Sequence, residues 1–479
     1  MIGLDRAGLQ YVGGEWVPSA SAERIAVENP TTTEVLAEVA AGSPADAEAA
    51  VKAARGAFDA WSRTPVQERI RVVRAAARVI ETKAAEVAET ITAELGSPVS
   101  LTKTTQVGRS VEVLDALARA AEKVEWSSQI GSTAVYREPM GVVVAITPWN
   151  FPLHQAVAKV GAALLAGCTV ILKPSELAPL NTYVLADAFS EAGLPAGALN
   201  IVTGRGDTVG EALVADRQVD AVSFTGSTPV GRRIAATGAA TIKRVSLELG
   251  GKGPSIALPD ADIAAVAKAT AARCFGNSGQ VCASLTRLIV PNDTVAEAEA
   301  AAAEFAQSLT VGDPSDESTT MGPVVSDDHK QRVLGFIQAG IAEGARLVVG
   351  GPDAEVPQVG HYVAPTVLSD VTSSMTVARE EIFGPVLSII GYDDVDQAVE
   401  IANDSDYGLT GAVWGADAAQ IAKRLRVGLV GVNGGRLNID APFGGYKQSG
   451  YGREFGVYGI EEFLEVKSAN FTAEAHVLP

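Results

Sequence analysis

The chain has 479 residues, with 38 Lys and Arg against 57 Asp and Glu for a formal net charge of −19, and 47% of it is hydrophobic. So much apolar side chain offsets the entropy of ordering and excludes a disordered protein, while the acidic balance excludes nucleic acid or an anionic membrane surface as the main partner. At about 100–200 residues per domain the length implies two or three domains, and the 48 glycines imply many tight turns or close backbone approaches to a ligand.

The first ten residues, MIGLDRAGLQ, carry no signal-peptide core. Tyr11–Trp16 reads as a short strand. A helix is expected over 43–61, with Ser43 as N-cap, Pro44 at the first position and Asp46 closing a capping box. Apolar residues at helical spacing extend a longer helix over 66–94, and another covers 104–123. From residue 141 four short apolar runs, Val142–Ile146, Thr169–Leu172, Asn200–Val202 and Ala221–Phe224, alternate with helices near 152–166, 181–192, 207–215 and 229–237. Such alternation means parallel βαβ units. The uncharged stretch Gly161–Leu172 is too short to span a bilayer.

A second alternating region runs from about 260 to 446. Its strands are expected at Arg287–Val290, Leu347–Val349, Leu387–Ile390, Gly411–Trp414 and Leu429–Val432, with helices at 262–276, 294–308, 327–343, 395–402 and 417–426. Ligands of such sheets bind beyond the carboxyl ends of the strands. Candidate site residues are therefore Thr147-Pro148-Trp149-Asn150, Lys173-Pro174-Ser175-Glu176, Gly204-Arg205-Gly206 and Thr225-Gly226-Ser227. Ser227 is placed to cap the next helix, whose start suits a phosphate. No GxGxxG and no P-loop lysine accompanies these turns.

The three cysteines, Cys168, Cys274 and Cys282, form no CxxC pair, and the four histidines (His154, His329, His361, His476) are scattered. Neither a disulfide framework nor a metal centre is indicated, and a reducing cytoplasm fits. Cys168 and Cys274 read as core. Cys282 follows the polar turn Gly276-Asn277-Ser278-Gly279-Gln280-Val281, which suits either a nucleophile held against a ligand or a small buried hydrophobe. Glu248, between two leucines and before Gly250-Gly251, is either a desolvated general base or an acid paired with Lys252. A thiolate with a carboxylate base suits acyl chemistry.

The chain resembles the aldehyde dehydrogenase superfamily over nearly its whole length. Seven motifs stand in family order: ITPWNFP at 146–152, KPSE at 173–176, FTGS at 224–227, LELGGK at 247–252, GQVC at 279–282, EEIFGP at 380–385 and PFGGYKQSG at 442–450. The resemblance implies an α/β fold of two doubly wound parallel-sheet domains, a modified Rossmann cofactor domain and a catalytic domain, plus a small β oligomerisation element. It places the NAD(P)-binding domain at 1–124 and 143–248, the catalytic domain at 249–446 and bridging segments at 125–142 and 447–479. Cys282 would attack the aldehyde, Asn150 and the Cys282 N–H would form the oxyanion hole, and Glu248 would activate the water that hydrolyses the thioester. Lys159 matches a family lysine near this proton path, or is an ion-paired helix lysine.

The same resemblance gives the cofactor residues. Lys173 and Glu176 would bind the adenine ribose, Ser227 would meet the pyrophosphate, Glu381 would hold the nicotinamide ribose and Phe383 would pack near the ring. Gly206, Gly210 and Val230 would line the adenine side. The other expected cofactor contacts are Ile146, Thr147, Pro148, Trp149, Ser175, Phe224, Thr225, Gly226, Leu249 and Gly250. A carboxylate at Glu176 repels a 2′-phosphate, so NAD is favoured and NADP remains open. Phe151, Val281, Ala283 and Phe443 suggest an apolar aldehyde pocket, with Arg436 or Arg287 open as partners for a substrate carboxylate. Leu153-His154-Gln155 resembles members acting on semialdehydes or on aromatic and terpenoid aldehydes. Glu248 favours hydrolysis over release to coenzyme A. The alternatives are a coenzyme-A-acylating semialdehyde dehydrogenase and a non-catalytic descendant. The segments near 125–142 and 463–479 imply a homodimer or homotetramer.

Overall fold

The computed structural model describes residues 1–472, so the last seven positions of the expected 447–479 segment, His476 among them, lie outside the described residues. An eight-stranded sheet organises the first half of the chain. Its five central strands are parallel and run in space as Leu199–Ile201, Thr169–Lys173, Val142–Ile146, Ala221–Thr225 and Arg244–Glu248. The chain winds outward from Val142–Ile146 on one side, then returns to its other side, so the order reverses between Val142–Ile146 and Ala221–Thr225. Every residue of these two strands is buried, as a sheet covered on both faces demands. Helix Pro152–Ala166 is buried along its whole length, which explains its near-continuous apolar sequence.

The capping box at Ser43 and Asp46 forms as expected and starts helix Pro44–Ser62. Other elements differ from the sequence reading. Tyr11–Trp16 is a hairpin of Leu9–Val12 and Glu15–Pro18 on the sheet edge. Gly13 and Gly14 both take positive φ (64° and 89°), which a two-residue hairpin turn requires. The single helix expected over 66–94 is two, Val66–Thr82 and Ala84–Leu95, with a break at Lys83 (φ −98°, ψ 9°). There the Lys83 amine reaches Asp187 and Glu191, contacts made only in the tertiary structure. The helix expected over 104–123 begins with a π-helical turn, Thr102–Gly108, before Arg109–Ala121.

The second half builds a seven-stranded sheet, ordered Arg346–Val349, Thr366–Ser369, Val386–Tyr392, Leu285–Pro291, Gly253–Ala257, Thr410–Trp414 and Leu429–Val432. It is parallel except for Arg346–Val349 at one edge. Gly253–Ala257, Thr366–Ser369 and Arg244–Glu248 were not expected as strands, since each is short and mixes polar with apolar residues. The helix expected over 417–426 is confined to Ala418–Ala422. A third, antiparallel sheet joins Ser127–Ile130, Thr133–Pro139 and Leu464–Asn470. Gly450–Tyr451 pairs with Leu247 and Glu248, so part of the chain beyond residue 446 lies on the eight-stranded sheet, beside the site. Among the described residues no helix is long and apolar enough to cross a membrane.

Candidate active site

A cavity of about 300 Å³ opens where the strand order of the eight-stranded sheet reverses, the place where such sheets take ligands. Ile146, Thr147, Pro148, Trp149, Lys173, Ser175, Glu176, Gly206, Gly210, Phe224, Thr225, Gly226, Ser227 and Val230 all line it. Lys173 is buried. Its amine donates to the Pro174 carbonyl (3.0 Å) and to Glu176 (3.4 Å). Burial pulls its pKa below the usual lysine range, against the opposing pull of Glu176. Ser227 stands at the N-cap of helix Thr228–Ala239, but its hydroxyl makes no capping bond. The free N–H groups of that first turn therefore depend on another acceptor.

The slot leads into a chamber of about 230 Å³ that shares Pro148, Trp149, Thr225, Gly226 and Ser227 with it. Asn150, Glu248, Leu249, Gly250, Cys282, His329, Arg332, Glu381 and Phe383 complete the lining. The Glu381 carboxylate accepts from the Gly251 N–H (2.8 Å), and burial raises it to about 7. A Cβ on Gly250 would lie 2.1 Å from Glu381 Oε2, so only glycine lets this carboxylate approach. Phe383 takes φ 61°, a costly conformation for a bulky residue. His329 Nε2 hydrogen-bonds the Phe383 carbonyl (2.7 Å), Arg332 donates to the Glu381 carbonyl (2.7 Å), and the Trp149 ring meets that of Phe383 edge-on at 5.4 Å.

Cys282 is presented by a strained turn. Helix Ile263–Phe275 stops at Gly276, and Asn277, Ser278 and Gly279 then take three consecutive positive φ values, 51°, 56° and 75°. A Cβ on Gly279 would fall 2.0 Å from the Gly384 carbonyl carbon. Side chains hold the turn. Asn277 donates to the Asn150 carbonyl (3.0 Å), Ser278 to the Gly322 carbonyl (2.8 Å), and Gln280 Oε1 accepts from the Val325 N–H (2.9 Å). Asn150 Nδ2 donates to the Gln280 carbonyl (2.8 Å), and Gln106 donates to the Asn150 carbonyl (2.9 Å). Asn150 is thus fixed against the cysteine turn with its second amide N–H uncommitted. Burial, then Glu381, Glu248 and Glu454, push the Cys282 thiol up to about 12.

Glu248 ends its strand buried, and neither carboxylate oxygen has a hydrogen-bond partner among the described residues. It is not paired with Lys252, whose amine is also buried and has no partner among the described residues. Burial first, and the Glu454 charge second, hold the Glu248 carboxyl well above the usual carboxylate range. Lys159 is ion-paired to Glu454 at 2.5 Å, both side chains being buried (1% and 8% exposed). Glu454 is followed by Phe455 at φ 66°.

The expected substrate residues fall elsewhere. Phe151, Val281, Ala283 and Phe443 line neither slot nor chamber. Phe151 packs on His154 (6.5 Å), His154 on Phe455 (5.7 Å) and Phe455 on Phe443 (6.1 Å). These rings fill their own space, and Cys282 and Ala283 pack against the same apolar cluster as Phe443. Arg287 is not open to a substrate: it is buried and donates to the carbonyls of Lys252, Ile401 and Ala402. Cys168 and Cys274 are buried, with thiols on the Phe463 and Val386 carbonyls. Sequence reasoning missed His329, Arg332 and Gln106. A histidine one turn into a capped helix carries no signal of its own. Among the described residues no group of His, Cys, Asp or Glu is placed to hold a metal ion.

The fold and site define a class: an α/β protein whose switch-point slot runs into a chamber holding a thiol and an unpartnered carboxylate. Comparison with known proteins is specific. The family model described as "Aldehyde dehydrogenase family" matches residues 16–469. A 3-succinoylsemialdehyde-pyridine dehydrogenase from Pseudomonas sp. is 44% identical over 465 residues, covering 96% of this chain and 97% of that one. Among solved structures, aldehyde dehydrogenase C of Pseudomonas syringae, a cysteine-to-alanine mutant complexed with NAD+ and octanal, superposes with TM-score 0.97 at 45% identity, covering 100% and 99% of the two chains. A Mycobacterium tuberculosis aldehyde dehydrogenase complexed with NAD+ gives TM-score 0.96 at 41% identity, covering 98% and 99%. The chain belongs to the aldehyde dehydrogenase family.

Proposed function

We propose that this chain oxidises an aldehyde to the carboxylic acid with NAD and without coenzyme A. The observation that carries the reading is the pairing of Cys282 with Glu248 on one chamber, at the end of a slot lined by Lys173, Glu176 and the start of helix Thr228–Ala239. When bound, NAD would supply the hydride acceptor and a positive ring charge. Cys282 gives its thiol proton to bulk water and adds to the aldehyde carbon as the thiolate. The Asn150 amide and the Cys282 N–H meet the developing oxyanion, a contribution of a few kcal/mol. Loss of hydride leaves a thioester on Cys282, and Glu248 takes the proton of the attacking water, its raised pKa making it a stronger base than an ordinary carboxylate. Lys159 and Glu454 form the buried pair behind Glu248. Glu381 and Phe383 position the nicotinamide end and the slot residues the adenine end.

Glu176 in the slot supports NAD over NADP. Identity near 45% to proteins named for a pyridine semialdehyde and complexed with octanal supports an apolar aldehyde. We take 1–124 and 143–248 as the cofactor domain, 249–446 as the catalytic domain, and 125–142 with 447–479 as the bridge through which a homodimer or homotetramer forms. Three free thiols suit the cytoplasm. Product analysis with NAD, with and without coenzyme A, tests the reading. Free acid formed without coenzyme A supports it. Strict dependence on coenzyme A selects the acylating alternative, and no turnover of any aldehyde selects a non-catalytic descendant.

A further inference from the structure

The outer side of the slot carries an ion pair to which the reading above gives no role. Helix Thr228–Ala239 turns Val230, Arg233, Ile234 and Thr237 toward the cavity, the i, i+3, i+4, i+7 face of a helix. Across from it, the short helix Glu211–Ala215 presents Glu211 and Val214 to the same cavity. Arg233 Nε lies 3.1 Å from Glu211 Oε1, with side chains 53% and 50% exposed. The pair therefore bridges the two helices at the rim of the slot while its members line the slot itself.

Arg233 and Lys173 are the cations of this lining. They are not equivalent. Lys173 is buried on the Pro174 carbonyl and Glu176. Arg233 is bonded side-on through Nε, which leaves its guanidinium plane open. A guanidinium is flat and weakly hydrated and stacks plane to plane on an aromatic face, whereas a strongly hydrated ammonium meets the ring only as a point charge. The apolar walls beside it, Val214, Val230 and Ile234, suit a planar base and not a phosphate.

We propose that Arg233, steadied by Glu211, packs its guanidinium plane on the adenine ring of the bound dinucleotide and slows its release. This rests on the NAD reading above. Three variants test it: Arg233→Ala, Arg233→Lys and Glu211→Gln. The probe is calorimetric binding of ADP-ribose, which has the adenine half and no nicotinamide, followed by kinetics with NAD and with NADP. Arg233→Ala should bind ADP-ribose about three- to ten-fold more weakly, the range of an exposed cation–π contact. Its KM for NAD should rise in step, while kcat at saturating NAD does not fall, since the chamber is untouched. Arg233→Lys, which keeps the charge without the plane, should stay weak, and Glu211→Gln should lose about two-fold. Unchanged ADP-ribose binding in Arg233→Ala overturns the proposal. So does full rescue by Arg233→Lys, which means charge alone, and so does a loss confined to NADP, which means a 2′-phosphate contact. If the wild-type protein binds neither ADP-ribose nor NAD, the cofactor reading itself falls and the proposal falls with it.

Discussion

Along the slot, charges are matched and no lining residue takes positive φ: Lys173 holds Glu176, Arg233 holds Glu211, and fully buried parallel strands carry the walls. In the chamber the opposite holds. Glu248 has two unpartnered oxygens, the Cys282 thiol is held up by burial and three carboxylates, and Asn277, Ser278, Phe383 and Phe455 take positive φ on or beside it. Strain and unsatisfied charge cost stability, and here they collect where bonds are made and broken. The slot needs only to bind. The chamber needs reactive groups that are not already neutralised by a neighbour.

The largest effect that could break this contrast is at the thiol. Cys282→Ala should lower aldehyde-dependent NADH formation by about 10⁴-fold or more, with Tm within about 3 °C of the parent, measured by absorbance and calorimetry. Retained turnover would move the nucleophile elsewhere. Next is Glu248→Gln, which should lower steady-state kcat by about 10²- to 10⁴-fold while the first turnover of NADH survives. The sign of its pH dependence follows from the raised pKa. The wild-type rate should climb as pH rises through that pKa, above the usual carboxylate range, because the base acts ionised.

The same residue couples activity to stability. A carboxyl raised on folding favours the native state at low pH, and this contribution is lost as pH rises through the folded pKa. Glu248→Gln should therefore raise Tm relative to wild type at pH 9 and do so less at pH 5. Asn150→Ala follows at about 10²- to 10³-fold in kcat, since it removes both the free amide donor and the bond to the Gln280 carbonyl. The smallest effect belongs to the junction of the two regions. Gly250→Ala drives a methyl into Glu381 and should raise KM for NAD by about 10-fold with less change in kcat, read from initial rates at varied NAD.

The slot was more legible in the sequence than the chamber, for a geometric reason. Its residues follow parallel strands, so Thr147–Trp149, Lys173–Glu176 and Thr225–Ser227 announce themselves as turns after apolar runs. The chamber gathers residues from distant segments. His329, Arg332 and Glu454 arrive from helices and loops whose local pattern says nothing about a site. The family resemblance supplied Glu381 and Phe383, which periodicity alone did not. Polar side chains could be read, but not which of them would lack partners: Glu248 beside Lys252 in sequence suggested a pair, and the structure instead buries both unpaired. The break at Lys83 and the filled aromatic cluster at Phe151, His154, Phe443 and Phe455 are likewise decided by tertiary contacts.

The central claim is that Cys282 carries the acyl group and Glu248 releases it. Intact-protein and peptide mass spectrometry of Glu248→Gln, quenched in acid after one turnover with NAD and octanal, tests this most directly. The account predicts a mass gain equal to the octanoyl group, located on the Cys282 peptide and absent when Cys282 is also replaced by alanine. An octanoyl adduct on another residue, or free acid released as fast as by wild type with no adduct, would contradict it.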